Sequence, residues 1–204
     1  MARTRLTRAE SREQTRRRLL EAGARVFRHH GYRGASVEAI AAEAGYTVGA
    51  VYSNFEGKDD LVLALLEEQI GEITERVIAA AGEAKDAVEK LRRGALEWMA
   101  VLDDERDFYV LLIEFWTLWV RDPELRSEHA ERFAALRRAL GGLVEEQARQ
   151  MGLSLRLSSE EVGAALVALA DGLALQRLAD REAFSDDLLA TLVATLIPAL
   201  AEAR

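Results

Sequence analysis

The chain has 204 residues, half of them hydrophobic, with no cysteine, two prolines and a formal net charge of −8. Length allows one or two domains with a sizeable core. The absence of cysteine excludes disulfides and thiolate metal sites, and fits a reducing cytoplasm, which is the expected location. No uninterrupted apolar stretch reaches the ~18 residues of a membrane span, and no apolar segment follows the arginine-rich start as in a secretory signal. Ala, Leu, Glu and Arg dominate and hairpin signals are missing, so the expected fold class is all-α.

Charge is unevenly spread. Residues 1–58 carry eleven Arg/Lys against six Asp/Glu, whereas the remainder carries sixteen against twenty-nine. That asymmetry describes a small anion-binding head on an acidic body.

The first ten residues read as a basic arm. A helix over about 11–30 places Leu19, Ala22, Gly23, Val26 and Phe27 on one face and stops at Gly31. Ser36 is an N-cap for a two-turn helix with Val37, Ile40, Ala41 and Ala44 on one side, ended by Gly45. Thr47 caps a second short helix carrying Val48, Val51, Tyr52 and Phe55, expected to run on to Gly57. Two short helices joined by about three residues make a helix-turn-helix. Gly49 lies at the start of the second, where a missing side chain lets the backbone approach another surface closely. The DNA major groove admits such a helix. Ser36, Thr47, Tyr52, Asn54 and Lys58 surround it with hydroxyl, amide and ammonium groups suited to phosphate oxygens.

Longer helices follow over about 58–80, 84–103, 105–121, 124–151, 158–181 and 185–202. Ser158 and Glu161 form a capping box, Ser185 is the expected cap of the last helix, and Pro123 marks a break. The connections are short, as in an antiparallel bundle. In the segment "DFYVLLIEFWTLWVRDP" (107–123), Glu114 lies among apolar neighbours and needs a partner. It is either an acid of a small-molecule pocket, walled by Trp98, Phe115, Trp116 or Trp119, or a structural charge, paired with an arginine such as Arg177 or facing a dimer surface. His29 and His30 read as surface residues, and no metal site is expected.

The segment "TRRRLLEAGARVFRHHGYRGASVEAIAAEAGYTVGAVYSNFEGKDDL" (15–61) resembles the DNA-binding domain of the TetR family of bacterial transcriptional regulators. The resemblance rests on Ala22, Phe27, Gly31-Tyr32, Ser36-Val37, Ile40-Ala41, Ala44-Gly45, Gly49, Val51-Tyr52, Phe55, Lys58 and Leu61. It implies a three-helix DNA-binding head with a basic arm over residues 1–58 and a larger helical-bundle effector-binding and dimerisation domain over 59–204. It further implies a homodimer on a pseudo-palindromic operator, released by a small-molecule effector, and no enzyme activity, cofactor or membrane partner. In the family the first residues of the second helix-turn-helix helix meet base edges; here these are Thr47, Val48, Gly49 and Ala50. Val48 and Ala50 are apolar where polar residues are frequent, so contact with thymine methyls is expected. Further specificity is expected from Arg3, Arg5 and Arg8 reaching a minor groove, or from DNA shape. The last two helices, with Leu166, Leu169, Leu173, Leu192 and Leu196, are expected to form a four-helix dimer interface. The alternative is an all-helical small-molecule-binding protein or enzyme. It would need a convergent set of reactive groups, and three histidines at no useful spacing do not supply one.

Overall fold

The computed structural model describes residues 7–82, 84, 86–199 and 201–203. Arg3 and Arg5 of the arm lie outside these. Nine helices are described: α1 (Arg8–Gly34), α2 (Val37–Ala44), α3 (Val48–Tyr52), α4 (Lys58–Gly82), α5 (Ala87–Asp104), α6 (Arg106–Trp119), α7 (Pro123–Gln150), α8 (Ser159–Ala179) and α9 (Leu188–Ala199). Two short strands, β1 (Leu153–Leu155) and β2 (Ala201–Ala203), pair antiparallel.

The chain forms two compact units. The first comprises residues 1–71 and 110–115, and the second comprises 72–109 and 116–204. The functional division expected at residue 58 falls within the first, at the start of α4.

In the first unit α1 packs on α2 and α2 on α3. Its core joins Leu19, Ala22 and Phe27 of α1, Ile40 and Ala41 of α2, Val51 and Phe55, and Leu61 and Val62 of α4. The 3.6-residue spacing of apolar side chains on α1 and α2 dictates this. Gly23 is needed for the approach of α4: a Cβ there would lie 2.6 Å from a Leu61 methyl. An α1–α2 ion pair, Arg25 Nε to Glu43 Oε1 at 2.6 Å, lies half in solvent and adds little.

In the second unit α7 packs along α8, and α5 against α9. The α7–α8 approach is backbone to backbone. A Cβ on Gly141 would fall 1.7 Å from the Ser159 carbonyl oxygen, and one on Gly163 would fall 1.9 Å from that of Arg137. Among the described residues, α8 is the one helix long and apolar enough to cross a membrane, with a mean hydropathy of 1.4. It carries Asp171 and Arg177, and its Gly163 face is spoken for by α7.

Several boundaries differ from the sequence reading. Helix α1 starts at Arg8, because Thr7 accepts from the Glu10 N–H and Glu10 bonds back to Thr7, a full capping box. Arg8 is therefore a first-turn helical residue. Helix α9 starts at Leu188, so Ser185 is not its cap; the Thr191 N–H bonds the Asp187 carbonyl instead. The chain after α9 pairs with β1, which gives its backbone groups partners a frayed helix end would lack.

Candidate nucleic-acid interface

Ser36 and Thr47 cap α2 and α3 by accepting from the Ala39 and Ala50 N–H groups, at 3.1 and 3.2 Å. In both the oxygen is used and the O–H remains a donor. Between the helices Gly45 sits at φ 72°, ψ 28°, a left-handed conformation that closes α2 and turns the chain into α3. The turn comprises Gly45, Tyr46 and Thr47.

Helix α3 is one turn shorter than expected. The Ser53 hydroxyl bonds the Gly49 carbonyl at 2.8 Å and the Asn54 amide bonds that of Ala50 at 2.8 Å. Side-chain donors that occupy the last-turn carbonyls offer the backbone an alternative to further helix. Phe55 reaches the core all the same.

The outward side of α3 presents Thr47, Gly49 and Tyr52, with Val48 and Ala50 half-buried. Gly49 has positional meaning. An added Cβ would meet only the Thr47 hydroxyl, at 3.7 Å, so nothing inside the protein demands a glycine there. Tyr52 is 57% exposed although its neighbour Val51 is fully buried. Asn54 is half-buried, and its Oδ1 is a buried acceptor without a partner among the described residues. Arg12 donates to the Ser53 carbonyl at 3.2 Å, and Arg16 lies 4.9 Å over the Phe55 ring, so α1 lays two guanidinium groups beside the end of α3. Arg8 is exposed at the start of the same helix.

Lys58 is placed differently from a free surface ammonium. Its Nζ donates to the carbonyls of Tyr32 (2.9 Å) and Ala35 (3.0 Å) and lies 4.2 Å over the Tyr32 ring. Two of its three donors are thus engaged within the protein. Tyr32 also donates its hydroxyl to Asp59. Burial, then the Asp59 carboxylate, push that phenol well above its ordinary range, so it stays a donor.

Glu114 lies half-buried on α6. It belongs with the first unit, and its Oε2 accepts from the Tyr32 backbone N–H at 2.7 Å. Phe115 meets Tyr32 edge to face at 5.9 Å. The expected pocket set therefore divides. Trp98 pairs with Tyr109 at 6.0 Å, and Trp116 and Trp119 gather with Phe133, all in the second unit. Arg177, expected as a partner of Glu114, is buried (5% exposed) and bonds Asp186 and the Arg181 carbonyl, with its guanidinium over Phe184. The dimer set divides too: Leu173 is buried within the protomer, Leu166, Leu169 and Leu192 are half-buried, and Leu196 is exposed. Among the described residues no three His, Asp or Glu side chains gather as metal ligands.

Residues 19–65 match the family described as bacterial regulatory proteins, tetR family, and residues 87–202 match the C-terminal domain of BetI-type transcriptional repressors. The chain belongs to the TetR family. Its members among the relatives are named as transcriptional regulators. The repressor AcnR of Corynebacterium efficiens is 30% identical over 127 residues, 62% of each chain. The repressor Rv1474c of Mycobacterium tuberculosis is 30% identical over 82% of this chain and 83% of its own. The chain thus spans under two thirds of the corynebacterial relative and most of the mycobacterial one. A transcriptional regulator of Pseudomonas aeruginosa PAO1 shares the fold, with a TM-score of 0.74 at 25% identity over 92% of this chain and 90% of that one. The helix-turn-helix was legible from caps, glycines and apolar spacing, and the TetR family from the resemblance of residues 15–61. The internal engagement of Lys58 and Glu114 was not, since both depend on the backbone of a corner at Gly31 that no side-chain pattern reveals.

Proposed function

We propose that the protein is a homodimeric transcriptional repressor that binds a pseudo-palindromic operator and is released from it by a small-molecule effector. Thr47, Val48, Gly49 and Ala50 face the base edges. Ser36, Tyr52 and Asn54 contact phosphates, Lys58 contributes its remaining donor there, and Arg8 with Arg5 reaches the flanking duplex. Base readout is mostly apolar, by Val48 and Ala50 against thymine methyls. The effector is held in the second unit, whose aromatic groups include Trp98 with Tyr109 and Trp116 with Trp119. Dimerisation uses α8 and α9, where Leu196 is 45% exposed.

The observation that carries this reading is Gly49. It is a glycine whose added Cβ would meet only the Thr47 hydroxyl, at 3.7 Å, at the start of a helix that buries Val51 fully. Close approach of an outside surface supplies the reason. The experiment is a gel shift with duplex from upstream of the coding region, comparing the wild type with Gly49→Glu. The bulky acid has room in the free protein, so its melting temperature should hold while duplex binding is abolished. Equal binding by the two proteins would contradict the reading.

A further inference from the structure

Gly31 breaks α1 with φ 64° and ψ 175°, a conformation that strongly favours glycine. The kink frees the Tyr32 N–H from the helical ladder, and the Glu114 carboxylate of α6 takes it at 2.7 Å. The fit is close: a Cβ on Gly31 would lie 3.0 Å from each of the two carboxylate oxygens. So Gly31 provides both the corner and the room for the acid that binds it.

Tyr32 then faces the other way with everything else it has. Its carbonyl accepts from Lys58 at 2.9 Å, its ring lies 4.2 Å beneath the same ammonium, and its hydroxyl binds Asp59. These are the first two residues of α4. Lys58 also bonds the Ala35 carbonyl, next to the Ser36 cap of α2. One residue, Tyr32, therefore joins α6 through its N–H to the start of α4 and the entry of the helix-turn-helix. Helix α6 itself is shared: residues 110–115 belong to the first unit, and its flanking residues to the second.

We propose that Glu114 is a positioning residue for operator binding, the acceptor by which α6 fixes the Gly31–Tyr32 corner and thereby sets Lys58 and the start of α4. The inference rests on the repressor reading and adds to it the side chain by which α6 holds the corner beside the helix-turn-helix. A carboxylate–amide bond is directional and falls off steeply with distance. A small shift of α6 breaks it and frees the corner.

The test needs no effector, because coupling between two sites is reciprocal. The full chain is incubated with the tightest duplex from a random-duplex selection, and amide hydrogen exchange is followed in residues 116–122 with and without it. Wild type should show a duplex-dependent change there. Glu114→Ala should still bind duplex, roughly two- to thirty-fold more weakly, but lose the change in 116–122. Glu114→Gln, which keeps an acceptor oxygen, should retain it. A merely structural role would weaken binding and leave the remote response intact. Should Glu114→Ala not fold, Glu114→Asp withdraws the acceptor by one methylene and is expected to diminish the response. The inference is overturned if wild type binds duplex without a change in 116–122, or if Glu114→Ala (or, in its stead, Glu114→Asp) responds as wild type does. Failure of wild type to bind any duplex overturns the repressor reading itself.

Discussion

Tyr52, Gly45 and Asp171 each make a separable prediction from a single side chain. The Tyr52 ring is mostly in solvent, so Tyr52→Phe removes only the hydroxyl. One lost hydroxyl bond to a charged phosphate is about 1.5–3 kcal/mol. Duplex affinity should drop roughly ten- to 150-fold by that amount, with an unchanged melting temperature. Gly45 at φ 72° has no neighbour within 4 Å, so the penalty of Gly45→Ala is conformational alone, about 1–2 kcal/mol in a urea titration. Asp171 is half-buried on α8, and burial pushes its carboxyl up to about 6. A folded-state value above the unfolded one means the folded protein binds more protons, so stability falls as pH rises through that window. Asp171→Asn should therefore raise the melting temperature little at pH 4 and progressively more up to about pH 6, then level off. A difference constant across this range would show that the carboxyl is not desolvated.

At the scale of elements, what the sequence disclosed follows from what sets each element. Helices α1 and α2 are governed by an apolar stripe and a cap, and Leu19, Phe27, Ile40 and Ser36 could be read directly. The end of α3 depends on Ser53 and Asn54 turning back on their own carbonyls, a choice between two local bonding patterns that spacing does not decide. Apolar spacing does not reveal the close α7–α8 contact. Which glycines meet backbone depends on the crossing point, at Gly141 and Gly163. Gly163→Ala places a methyl where a carbonyl oxygen already stands, and the neighbour is backbone, so the helices must move apart. It should cost at least the 1–3 kcal/mol of core overpacking. Gly172→Ala, on the same helix with open space above it, is the control and should be neutral or stabilising.

For the whole molecule, the distribution of charge matters more than the total. A chain of net charge −8 approaches DNA through a segment with eleven basic residues and six acidic ones, while its acidic remainder is repelled. Such binding orients the protein before any base is read and weakens as salt rises, with a slope near −0.9 per phosphate neutralised. In the proposed dimer, two heads related by two-fold symmetry impose their own geometry, with half-sites about 34–36 Å apart or a multiple of that. The most direct measurement is a selection from random duplexes by the purified full-length protein, with the enriched sequences read out. The account predicts one inverted repeat with that spacing, enriched by wild type and not by Gly49→Glu. Recovery of duplexes without any shared inverted repeat, or equal enrichment by both proteins, would contradict it.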